Sequence, residues 1–128
     1  MTLQRLETGL VSTDRTLLDF YAEVLELDEL DPIVFPGGNV YVLAVPGGLL
    51  KVMVPTEPPA AAPAAAFTAV TGIRYLTVRV DDLDGVVERA TARGATVIVP
   101  AFELRPGARL AMLTDPDGNT FEAVEETG

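Results

Sequence analysis

Four charged side chains fall in the middle of stretches that otherwise read as half-buried strands: Glu7, Lys51, Arg79 and Glu122. Charge in mid-strand needs a partner or water. Glu7, Lys51 and Glu122, with Tyr75 on the same alternation as Arg79, can form an acid/base set. Burial raises a carboxylate's pKa and a neighbouring ammonium lowers it. A glutamate so tuned can take a proton alpha to a carbonyl, and Lys51 or Arg79 can stabilise the enolate oxygen. Without a reaction, the same charges hold a polar ligand or satisfy one another. Much other chemistry is excluded, because the chain contains no histidine and no cysteine. That removes Ser-His-Asp relays, disulfides, thiolate metal sites and cysteine nucleophiles. Gly37-Gly38 and Gly47-Gly48 signal turns and lack the context of a phosphate-cradling loop.

The elements that position these residues occur twice, as a degenerate repeat. The first unit runs from about residue 5 to 54 and the second from about 73 to 125. Each opens with an alternating strand, 6–11 and 73–80, and each then meets an aspartate, Asp14 or Asp82, placed to cap a helix. Leu17, Leu18, Phe20, Tyr21, Val24 and Leu25 give the first helix an apolar stripe, and Leu83, Val86, Val87 and Ala90 give the second. Gly94 reads as a C-terminal stop. Three strands follow in each half, at about 32–35, 40–45 and 48–54, then 96–99, 108–114 and 119–125. The expected fold class is α+β, with β-α-β-β-β repeated. A Pro/Ala-rich stretch, 55–70, links the halves, and Pro58, Pro59 and Pro63 keep it from being a helix. It reads as a semi-extended linker, or as a flap over a pocket.

Alternation assigns faces. Leu50, Val52 and Val54 point one way, and Leu49, Lys51 and Met53 the other. Leu76, Val78 and Val80 oppose Tyr75, Thr77 and Arg79. Leu6 and Leu10 oppose Glu7, Gly9 and Val11. Phe121 and Ala123 oppose Thr120, Glu122 and Val124.

Length and composition fit one globular domain: 128 residues, 48% hydrophobic and 22% charged. A net charge of −10 argues against nucleic acid, which needs a basic face. It suits a solvated acidic surface first and a cationic ligand second. No apolar stretch approaches the roughly 20 residues that span a bilayer. No basic-then-apolar leader opens the sequence, and a cytoplasmic location is the expectation.

Asp115-Pro-Asp-Gly-Asn119 is a tight-turn signal, and a strand-like run carrying Glu122 among apolar neighbours follows it. This segment, with the Asp-led helix bearing Phe20-Tyr21, resembles the glyoxalase/bleomycin-resistance/extradiol-dioxygenase superfamily, the vicinal oxygen chelate fold. The resemblance spans nearly the whole chain. It implies a single domain whose two modules form a curled mixed-sheet cup, with the helices outside and the ligand inside. It also implies that Glu122 faces the cup and that four positions, mostly His and Glu in the family's metalloenzymes, ligate a metal. One of these lies seven residues before each helix-opening aspartate, here Glu7 and Tyr75. The other lies four residues after each hairpin glycine, Gly47 or Gly118, here Lys51 and Glu122. Lys51 departs from that pattern, because an ammonium has three donors and no lone pair. The expectation is no metal and no cofactor, and a Glu7–Lys51–Glu122 charge cluster in the metal's place.

The expected ligand-binding residues are Glu7, Lys51, Met53, Tyr75, Thr77, Arg79, Arg109 and Glu122. Glu7, Lys51, Tyr75 and Glu122 are the catalytic candidates. Arg109 also suits a hairpin-turn or sheet-capping role, and Phe35 and Tyr41 either line the pocket or pack in the core. By resemblance the first expectation is a metal-independent homodimer that binds a small molecule, similar to the drug-sequestering bleomycin-resistance proteins. The low aromatic content, five Phe, three Tyr and no Trp, speaks against committing to bleomycin itself. The second is a metal-free isomerase, epimerase or cyclase in the same cup.

Overall fold

Apolar alternation at period two becomes strand and the 3.6-residue stripes become helix, in the order β-α-β-β-β twice over. The structure is a computed structural model that describes residues 1–127. It packs as two compact units, Met1–Ala61 and a second beginning at Ala62. The first holds β1 (Thr8–Val11), α1 (Thr16–Val24), β2 (Glu29–Phe35), β3 (Gly38–Val45) and β4 (Gly48–Pro55). Its sheet runs β1-β4-β3-β2, with β1 parallel to β4 and the other pairs antiparallel. The second holds β5 (Tyr75–Arg79), α2 (Leu83–Ala92), β6 (Thr96–Arg105), β7 (Ala108–Thr114) and β8 (Thr120–Glu126), ordered β5-β8-β7-β6 with the same pairing senses.

The two helices start by different means. Asp82 caps α2, its carboxylate accepting the Gly85 N–H at 3.1 Å, and Glu125 reaches from β8 to take the Leu83 N–H at 2.7 Å. In α1 the cap position belongs to Arg15, which makes no side-chain cap bond, so the aspartate lies one residue earlier than expected. Asp14 still accepts the Thr16 N–H at 2.8 Å, and this bond holds its carboxyl below the ordinary range. Gly94 takes φ +95° just past α2, a left-handed stop that a glycine adopts without steric cost. The hairpin before β8 turns on Asp115, which is buried and accepts the N–H groups of Asp117 and Asn119 at 3.0 and 2.9 Å.

Each helix covers one face of its own sheet. α1 buries Leu17, Leu18, Phe20, Tyr21 and Val24 over β3 and β4, where Leu43, Leu50 and Val52 are also buried. α2 buries Leu83, Val86 and Ala90 over β6, β7 and β8, where Leu113, Phe121 and Ala123 are fully buried. A fully buried Leu or Phe contributes about 1.5–3 kcal/mol, so these stripes fix which face of each sheet is left for anything else.

The expected strands shift at their ends. β2 and β6 are longer, running through Pro32 and Pro100, because each is an edge strand whose register slips there, between Leu30 and Ile33 and between Val99 and Phe102. β1 is shorter: Leu6 precedes it with its side chain exposed, so Leu6 does not join the core.

Candidate functional site

In the first unit the pairing β1–β4–β3 sets Gly9 and Val42 beside Lys51, and Val11 and Val40 beside Met53. These residues share the face turned away from α1. Glu7 lies just before β1 on the same alternation as Gly9. Its Oε1 sits 3.1 Å from the Lys51 Nζ, and its Oε2 accepts from the Arg5 Nε at 2.6 Å. The bond to Lys51 first and that to Arg5 second hold the Glu7 carboxyl below the ordinary range. Glu7 is therefore an anion at neutral pH with two cations bound to it. Phe35 pairs with Gly38 at the edge of this face.

In the second unit the parallel β5–β8 register sets Tyr75 beside Thr120, Thr77 beside Glu122 and Arg79 beside Val124. The Thr77 hydroxyl donates to Glu122 Oε1 at 3.1 Å. Among the described residues Glu122 makes no ion pair, and Met112 lies opposite it on β7. Arg79 instead bonds Glu126 Oε1 at 2.7 Å, an oxygen shared with Arg105 at 3.0 Å. Tyr75 is half exposed, and the Phe67 ring meets it edge-on with centroids 5.8 Å apart.

Arg109 and Tyr41, each expected either in the site or in a packing or capping role, lie on the helix-covered faces. Arg109 pairs with Glu125, on the α2 side of the sheet, and binds Asp84 in the first turn of α2 at 3.0 Å. That bond holds the Asp84 carboxyl below its ordinary range. Arg109 thus ties sheet to helix and does not join Glu122. Tyr41 pairs with Val52 on the α1 side, where the Arg15 guanidinium stands 4.7 Å from its ring centroid. Of the expected three-membered cluster, the structure shows the Glu7–Lys51 pair within one unit, and in the other it gives Glu122 a hydroxyl partner.

Sequence reasoning missed Arg5, Met112, Arg105 and Phe67. Arg5 was in reach, since residues two apart in an extended chain share a face. Met112 follows once the Gly118 turn sets the β7–β8 register. Arg105 and Phe67 meet their partners through contacts that no local pattern signals.

The profile of the Glyoxalase/Bleomycin resistance protein/Dioxygenase superfamily matches residues 10–123. The chain belongs to this superfamily. A glyoxalase family protein from Bacillus cereus shares the fold with a TM-score of 0.84, at 18% identity over 100% of this chain and 97% of that one. TnmS3, an antibiotic binding protein from Streptomyces sp. CB03234, is 28% identical with a TM-score of 0.65, covering 99% and 97% of the two chains. CFP32 of Mycobacterium tuberculosis (strain CDC 1551 / Oshkosh), provisionally named a glyoxylase, is 30% identical over 99 residues, 77% of this chain and 36% of its own length. The chain therefore spans about a third of that relative.

The superfamily's metal positions can be tested against the side chains that fill them. Lys51 offers protons where a ligand offers a lone pair. The Glu7 oxygens are engaged by an ammonium and a guanidinium. Among the described residues no three Asp, Glu, His or Cys side chains gather as a ligand set. The donor set does not fit a metal. No helix among the described residues is long and apolar enough to cross a membrane.

Proposed function

We propose that this chain is a metal-independent small-molecule-binding protein of the glyoxalase/bleomycin-resistance type, and that it sequesters an antibiotic-like compound. The observation that carries the reading is the Lys51–Glu7 ion pair, at two positions that the resemblance assigns to metal ligands. The likeness to an antibiotic binding protein over nearly the full length of both chains supports it. In this reading the two units, joined by the linker at 55–70, are halves of one cytoplasmic domain that acts as a homodimer. Its ligand-binding residues are Glu7, Lys51 and Met53 of the first unit and Tyr75, Thr77, Arg79 and Glu122 of the second. The charge of −10 supports a partner that is neither nucleic acid nor an anionic surface.

One observation favours a second reading, a metal-free isomerase, epimerase or cyclase. Glu122 is a half-buried carboxylate held at one oxygen by a neutral hydroxyl, an arrangement that suits a general base. A single experiment separates the two. The protein is titrated calorimetrically with a panel of cationic antibiotics and small oxo-acids, and each mixture is followed by NMR for turnover. Saturable binding of an antibiotic that stays chemically unchanged supports sequestration. Conversion of an oxo-acid supports the enzyme, and absence of binding across the panel overturns both.

A further inference from the structure

The second unit contains an arrangement that the sequence did not announce. Phe67 lies outside any strand or helix, yet it is fixed in place. Its carbonyl accepts the Arg74 Nε–H at 3.2 Å, and the Ala69 N–H closes a turn onto the Ala66 carbonyl at 2.9 Å. So held, its ring meets Tyr75 edge to face, at 5.8 Å and 76°. A T-shaped pair leaves the face of one ring open, and Tyr75 remains 53% exposed. Two residues along the same face of β5, about 6.6 Å by strand rise, Thr77 holds one oxygen of Glu122. Lys51, Arg79 and Arg109 bind Glu7, Glu126 and Asp84 respectively. Among the described residues Glu122 makes no ion pair, so this mid-strand carboxylate meets a neutral hydroxyl and no cation.

We infer that Phe67, Tyr75, Thr77 and Glu122 form a subsite for an aromatic ammonium, a flat ring joined by a short arm to a positive charge. The ring stacks in the Phe67–Tyr75 corner and the ammonium neutralises Glu122, with Thr77 keeping the carboxylate turned to receive it. The separation of about two residues along the strand suits an arm of one to three bonds. The inference rests on the ligand-binding reading and sharpens it to a ligand class.

The test uses the whole 15N-labelled chain and three probes of one shape: phenethylammonium, 2-phenylethanol and 3-phenylpropionate. The expected result is saturable shifts centred on the amides of Phe67, Tyr75, Thr77 and Glu122, with the ammonium bound at least about tenfold more tightly than the alcohol. Glu122→Gln should erase that preference while its spectrum shows an intact fold. Phe67→Ala should weaken all binding by about two- to tenfold. Equal binding of the alcohol, shifts centred elsewhere, a preference that survives in Glu122→Gln, or no saturable shift with phenethylammonium each overturns the inference. The cationic antibiotic panel, run on wild type and Glu122→Gln, separates the two ideas. Antibiotic binding that Glu122→Gln leaves unchanged keeps the binding-protein reading and removes this subsite; no binding of any compound removes both.

Discussion

At the scale of single residues, Lys51 lowers the pKa of Glu7. Its ammonium is the foremost cause of the low Glu7 pKa, with Arg5 next. Lys51→Met should therefore raise the Glu7 pKa and leave it below the ordinary value, since Arg5 remains; a carboxyl-detected NMR titration reads this directly. The sign of the stability effect follows. A carboxylate depressed in the folded state stabilises the fold above its ordinary value of 4.5, and that contribution is lost as pH falls through the lowered folded value. The gap in stability between wild type and Lys51→Met should hold steady above about pH 4.5 and close on acidification below it; a gap that widens in acid contradicts the assignment. Arg109→Gln makes the opposite control. It should raise the Asp84 pKa and leave ligand affinity unchanged, because Arg109 faces α2. A loss of affinity in that variant would return Arg109 to the site.

At the scale of elements, the start of α2 shows why a poor helix former sits inside a helix. Gly85 gives up helix propensity relative to alanine, yet a methyl group there would run into the Asp82 carboxylate that caps the helix. Asp82→Ala should cost about 1 kcal/mol of stability through the lost cap. Gly85→Ala should destabilise the wild type but stabilise the Asp82→Ala background, by up to about 1 kcal/mol. Urea melts of the four proteins close this cycle, and an unchanged sign in the two backgrounds would contradict it. The α2 cap was legible as an aspartate before an apolar stripe, whereas the α1 aspartate lies one residue before its cap. The order of the elements was legible too, because period-two and period-3.6 patterns are local. The lengths of β2 and β6 were not, because Pro32 and Pro100 read as breaks until each strand proves to be an edge with room for a bulge. Tyr41 and Arg109 stayed open between site and packing roles for a related reason. Alternation says which residues share a face, and only the hairpin register against a helix-covered strand says which face it is.

At the scale of the whole molecule, a chain of net charge −10 should draw a cationic ligand by its field as well as by contact. Affinity for an aromatic cation should thus fall as added salt shortens the screening length from about 10 Å to about 3 Å, while affinity for the neutral alcohol stays constant. An unchanged cation affinity would mean that charge takes no part in recognition. The family was legible in the sequence because the repeat, the Asp115 turn and the capped helices span nearly the whole chain, as the match over residues 10–123 shows. The ligand was not, because recognition depends on residues such as Phe67 that come to the site by tertiary contact.

Lys51 in the place of a metal ligand is the central claim, and a thermal-shift comparison on chelator-dialysed protein tests it most directly. The melting temperature is read with Mn2+, Ni2+ or Zn2+ and, separately, with a cationic antibiotic. A ligand bound only by the folded state raises it in proportion to RT ln(1 + [L]/Kd). The predicted result is no shift with any of the metals, in wild type and Lys51→Met alike, and a saturable rise with the antibiotic. A rise with a divalent metal that Glu7→Gln or Glu122→Gln abolishes would contradict the account and return the protein to the superfamily's metalloenzymes.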